Sequence, residues 1–174
     1  MRWLWLLSLT CVELAQATWI VPQSLEVKTQ ASSVVLRGRV VAHDRDAKGF
    51  LRAQVLVDEV VRAQRQAPTK YVWVRSHQRE FVWKGQRVIE RVVGSPILPI
   101  QQELVLFLTS DPNGNLEPTG LHLGVHRIVL DRLGRRRVVA WEAAELKQAD
   151  SISPQQVNEA ELLDSFLNRV RSVP

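Results

Sequence analysis

Cysteine is almost missing from this sequence: Cys11 is the one residue of its kind in 174. It falls inside an N-terminal segment with the layout of an export signal, so the exported chain would carry no thiol. That excludes a disulfide framework, a thiolate metal site and a cysteine nucleophile. Aromatic residues make up only 6% of the chain, and the histidines are His43, His77, His122 and His126. Beyond the N-terminus no apolar run approaches the ~20 residues of a membrane-crossing helix. The sequence offers neither an internal repeat nor a low-complexity tract.

What is present begins with that N-terminus. Arg2 supplies a short positive region, Trp3 to Val12 an apolar stretch, and Ala15-Gln16-Ala17 the small residues of a cleavage site. The expectation is a signal peptide over residues 1–17, export to the periplasm or the extracellular space, and a mature start at Thr18. Lipid attachment through Cys11 is disfavoured, because Ser8 and Thr10 stand where a lipoprotein signal needs leucine and a small residue. The remaining 157 residues of 174 suit a single domain that folds without covalent staples. From Thr18 to Ala140 there are 19 Lys and Arg against 11 Asp and Glu, and from Trp141 onward 3 against 6. A basic body with an acidic tail fits a polyanionic partner or a tail that neutralises the body.

Along the chain, residues 18–32 lack a clear period and read as an entry strand or arm. Period-two alternation then predicts strands over 34–42 and 50–62. Gly38 marks a bend or close backbone approach, and a slip at Asp58-Glu59 marks a bulge. Tyr71 to Arg75 is a third strand, and two short strands are expected around the Lys84-Gly85 turn. Leu104 to Thr109 is apolar throughout and predicts a strand buried on both faces. Asn113-Gly114 signals a two-residue hairpin, and Val125–Leu130 with Arg136–Trp141 form a last hairpin about Gly134. Residues 142–174 are a linker and one amphipathic helix. Ser153 and Gln156 make a capping box, Pro154 takes the first helical position, and Leu162, Leu163, Phe166, Leu167, Val170 and Val173 form an apolar stripe. The fold class expected is mainly β: a small OB-like (Greek-key) β-barrel over residues 33–141, with the C-terminal helix packed on its open end or on one sheet face.

The strand Val34-Val35-Leu36-Arg37-Gly38-Arg39-Val40, the Tyr71-Val72-Trp73-Val74 strand and the late Leu104-Val105-Leu106-Phe107-Leu108 strand occur in an order that resembles exported OB-like barrels of the netrin and tissue-inhibitor-of-metalloproteinase type. Val93-Gly94-Ser95-Pro96, the run from Glu103 to Leu108, and Gly114, Gly120 and Gly124 are similar to a group of secreted bacterial proteins of uncharacterised activity. The resemblance covers about residues 33–140 and implies a barrel fold. Its motifs are strand and turn residues, so it says little of function. The inhibitors of that type act through a disulfide-tied N-terminal cysteine; Thr18-Trp19-Ile20 cannot supply one.

No constellation for catalysis emerges. His122 and His126 have the outer spacing of a zinc-protease helix, but Leu123 replaces the general base, and on a strand the two would stand ~13 Å apart. Exposed strand and loop histidines are the simpler reading. Asp111 to Asn115 faintly matches a calcium loop, yet its glycine is misplaced and His122 occupies the closing position. Ser95 precedes a proline and lacks a nucleophile elbow. The expectation is therefore a non-enzymatic protein without metal or cofactor. Two surfaces remain as binding candidates. Arg132, Arg135, Arg136 and Arg137 crowd one hairpin tip, where they either hold an anionic group or simply solvate a turn. Tyr71 and Trp73, with Phe81 and Trp83 behind them, either fill the core or form an exposed platform of the kind OB barrels use. The partner is read as a protein or an anionic polymer of the envelope. Nucleic acid is disfavoured, since an exported chain would meet only extracellular DNA. The alternative function is a secreted peptidase inhibitor by analogy of fold.

Overall fold

The computed structural model describes residues 23–64, 67–141 and 153–174. The expected signal peptide, with Cys11, and the 142–152 connection lie outside them. The expected arm is instead a short helix where it is described: α1 (Leu25–Ala31) starts at Ser24, whose hydroxyl accepts from the Val27 N–H. No helix among the described residues is long and apolar enough to cross a membrane.

The barrel is closed by five strands: β1 (Val34–Arg45), β2 (Phe50–Ala63), β3 (Tyr71–Trp83), β5 (Glu103–Ser110) and β6 (Leu116–Pro118). β1 pairs with β2 on one edge and β5 on the other, β6 joins β5 antiparallel, and β6 meets β3 in parallel at Leu116 and Val74. The ring order β1-β2-β3-β6-β5-β1 is that of a small OB-like Greek-key barrel. β4 (Gln86–Arg91) extends β3 as a hairpin about Lys84-Gly85, beyond the ring. β7 (Val125–Leu130) and β8 (Arg136–Ala140) peel away from β5 as a second layer, after a 3-10 turn over Leu121–Gly124.

Two sequence signals find their cause here. Asp58 is the extra residue of β2: Glu59 pairs with Arg37 and Val57 with Gly38, leaving Asp58 unmatched. At Gly38 a Cβ would run into the Leu56 carbonyl oxygen and sit 2.8 Å from Val55 Cγ1, so only glycine lets β2 cross so closely.

β5 is buried on both faces because it serves two cores. Leu104, Leu106 and Leu108 point into the barrel with Leu36, Val40, Val55 and Val74. Val105 and Phe107 point outward, into a second cluster with Val35, Ile128 and Val138. The lid of that second cluster is the C-terminal segment, which is not one helix. α2 (Pro154–Glu159) carries the expected capping box, β9 (Glu161–Leu162) pairs with β8, and α3 (Leu163–Arg171) follows. Leu162 thus leaves the predicted stripe for a strand, while Leu163, Phe166, Leu167 and Val170 bury themselves on the sheet face rather than at the barrel's end. Phe166 meets Phe107 edge-on at 6.2 Å.

Candidate functional site

The outer face of β2 and β3 carries the most distinctive surface chemistry. Alternation along β3 sends Val72 and Val74 into the barrel and leaves Tyr71 and Trp73 outside, 45% and 37% exposed. Their cross-strand neighbours on β2 are Leu56 and Gln54. One strand thus answers the question of core or surface: these rings do not fill the core.

Each ring on this side of β3 has a cation against it. The Arg52 guanidinium lies 4.4 Å from the Trp73 ring centre, and Lys70 lies 5.5 Å from Tyr71. Phe50, at the start of β2, holds Arg75 at 4.6 Å and Arg79 at 5.5 Å, and Arg79 also lies 5.0 Å from Phe81. Lys84 completes the series 4.5 Å from Trp83. Tyr71, Trp73, Phe81 and Trp83 sit at odd positions of one strand and therefore share a side. The strip is interrupted by a bulge between Arg75 and Arg79, where four residues of β3 oppose two of β2.

Carboxylates fix part of this series. Asp44 accepts from Arg52 at 2.7 Å, and Glu117 accepts from Arg75 Nε at 2.7 Å. Asp111 lies 3.0 Å from the same guanidinium, and its own carboxyl is held down to about 2, first by the Asn115 side chain. Arg79 and Lys84 have no carboxylate partner among the described residues. At its far end the strip closes on Trp83, 58% exposed, while Val82 and Ile89 are exposed on the other side of the β3–β4 hairpin.

The arginine hairpin differs from its sequence picture. Asp131 is a buried anchor, not a stray counter-charge: Arg135 and Arg137 donate from Nε to its Oδ2 at 2.8 and 3.0 Å. Burial alone would raise its pKa, but the backbone N–H of Arg135 and these side chains outweigh that and hold it below the ordinary carboxylate range. Arg137 also donates to the Ala160 carbonyl at 2.7 Å, tying the hairpin to the C-terminal segment. Its side chain is only 15% exposed, so Arg137 is packed and does not simply solvate the turn. Arg135 and Arg136 remain half exposed, with Arg136 3.7 Å from Glu103. The two predicted surfaces are not one site, since β6, β5 and β7 lie between β3 and β8 in the sheet.

Two histidines read as exposed are buried. His122 turns Nδ1 toward the Gly94 carbonyl, and His126 Nε2 lies 3.4 Å from Lys28 Nζ, between Phe107 and Phe166. Burial, with Lys28 second, pushes His126 down to about 3, and burial pushes Lys28 down to about 8. His43 donates from Nε2 to the Leu98 carbonyl, 2.6 Å away, and His77 reaches Glu117 at 3.2 Å. Sequence reasoning had no signal for Lys28, which sits in the polar stretch Glu26-Val27-Lys28-Thr29. No protein-family model matches the sequence, and no curated protein matches it.

Proposed function

We propose that the chain is a non-enzymatic binding module that works outside the cytoplasm and holds an anionic polymer along the aromatic–cation face of β2 and β3. The observation that carries this reading is the pairing of rings with cations on that face: Trp73 with Arg52, Phe50 with Arg75 and Arg79, and Trp83 with Lys84. A cation held against a ring has already lost some rotamer freedom, and Arg79 and Lys84, which no carboxylate meets among the described residues, keep their charge for a ligand. Such a group loses less entropy when it takes a carboxylate, sulfate or phosphate from a ligand. Rows of them along an extended strand suit a repeating anion rather than a small molecule. The face of the second and third strands is also where oligosaccharides and oligonucleotides dock on other OB-like barrels.

Binding of polygalacturonate to the purified chain, followed by calorimetry, tests the reading. Affinity is expected to fall steeply as salt rises, because screening and counterion release set the driving force. The double substitution Tyr71→Ala, Trp73→Ala should weaken binding by ~10-fold, about what one or two lost cation–π supports are worth, with the far-UV dichroism unchanged. Undiminished binding by the double variant, or binding indifferent to salt, overturns the proposal.

A further inference from the structure

A second concave surface lies away from that face. Arg37 on β1, Arg135 and Arg136 at the start of β8, and Leu162 to Ser165 at the β9–α3 junction line a groove of about 410 Å³. These lining residues come from separate stretches of chain that only the folded molecule brings together. They carry three guanidinium groups against one carboxylate, Asp164.

The existing partners of the arginines leave donors over. Arg135 engages Asp131 through Nε, which leaves its terminal nitrogens without a hydrogen bond among the described residues. Arg136 comes no nearer than 3.7 Å to Glu103, longer than a hydrogen bond. Arg37 stands 3.8 Å from Glu59, which Arg171 also claims, and its buried Nε has no hydrogen-bond partner. Arg37 Nε faces Glu59, so the donors open to the groove are those of Arg135 and Arg136, both half exposed. The Ser165 hydroxyl and the apolar Leu162 and Leu163 complete the wall.

We infer that this groove binds a tetrahedral oxyanion, the phosphate or sulfate group of a monoester. Three guanidinium groups lining one groove suit an anion with three outward oxygens and up to two charges, whereas a carboxylate offers two oxygens and one charge. The volume admits one sugar-sized residue attached to the anion. The site is independent of the β2–β3 face.

Calorimetric titration of the full chain with inorganic phosphate, inorganic sulfate and, at matched ionic strength, chloride tests it. Saturable binding of phosphate or sulfate but not chloride is expected, and a preference of about tenfold for one of them identifies the ester class. Arg37→Gln with Arg136→Gln should abolish it. Ser165→Glu should do the same while leaving every arginine in place, which guards against loss through misfolding. Arg132→Gln should bind as the parent does, since Arg132 does not line the groove. Tyr71→Ala, Trp73→Ala should also bind sulfate normally, so failure of the polymer reading and failure of this site are read separately. Equal heats from chloride, or unchanged binding after both groove substitutions, overturn the inference.

Discussion

Lys28 shows how far a single side chain can depart from its sequence context. Nothing in Glu26-Val27-Lys28-Thr29 marks it as interior, yet α1 packs it against His126 and the Phe107 ring with only 7% of its surface exposed. Burial depends on elements a hundred residues away, so no local pattern could disclose it. The consequence is a measurable pH dependence. The folded-state pKa is about 8 against 10.5 for an ordinary lysine, so between these values the unfolded chain binds more protons than the folded one. Stability therefore rises with pH across that window, at up to about 1.4 kcal/mol per pH unit from this group. Urea midpoints of the parent should climb between pH 8 and pH 10.5, and those of Lys28→Met should stay flat while starting higher at neutral pH. A flat parent profile would mean that Lys28 is solvated in the folded chain. Gly38 is the opposite case, since its position in an alternating strand did predict a close approach. Gly38→Ala should cost about 1–3 kcal/mol through overpacking, read from the same urea midpoints. A neutral result would show that β2 can move off Leu56.

At the scale of elements, strands were legible and their joints less so. Alternation found β1 and β2, and an unbroken apolar run found β5, because burial on one face or on two is written in the pattern of apolar residues. It could not say which face of β3 points inward: Tyr71-Val72-Trp73-Val74 is apolar at every position, and either parity would satisfy a core. Three of the hairpin loops share a construction that the sequence does carry, Asp-x-x-Gly-x at Asp46, Asp111 and Asp131. In each, the aspartate Oδ1 accepts from the amides two and four residues on, and a left-handed glycine follows. Asn113-Gly114 is thus part of a three-residue loop and not a two-residue turn. The late helix was read whole because its apolar stripe is nearly continuous; pairing of Glu161 and Leu162 with β8 interrupts it. The lid formed by α3 should be indispensable. Phe166→Ala should cost about 3–5 kcal/mol by thermal or urea denaturation, whereas unchanged stability would show α3 undocked. Arg137→Gln should lower the melting temperature clearly more than Arg132→Gln, because only Arg137 links Asp131 to the Ala160 carbonyl. Equal effects would reduce Arg137 to one more surface arginine.

For the whole molecule, ring closure was the least visible feature, because β3 and β6 meet at a single parallel pair, Val74 with Leu116. No sequence period records so brief a contact between residues so far apart. The closed ring nevertheless dictates how stability is distributed. β1 is hydrogen-bonded on both edges over Val34 to Arg39, and β5 between β1 and β7, with fully buried side chains on both of its faces. Opening either strand dismantles both cores at once. β4 by contrast is paired only with β3, and exposes Ile89 on one side of a hairpin whose partner strand exposes Val82 and Trp83. Few buried contacts hold it, so it can open without the barrel. Hydrogen exchange should therefore rank the amides of Leu36 and Val105 slowest, exchanging only through global unfolding, and those of Arg87 to Glu90 orders of magnitude faster. The ranking should hold at all protein concentrations. Protection of β4 that matches β1 and grows with concentration would show the apolar hairpin covered by a second copy, and the molecule that binds would then be a dimer built on this edge.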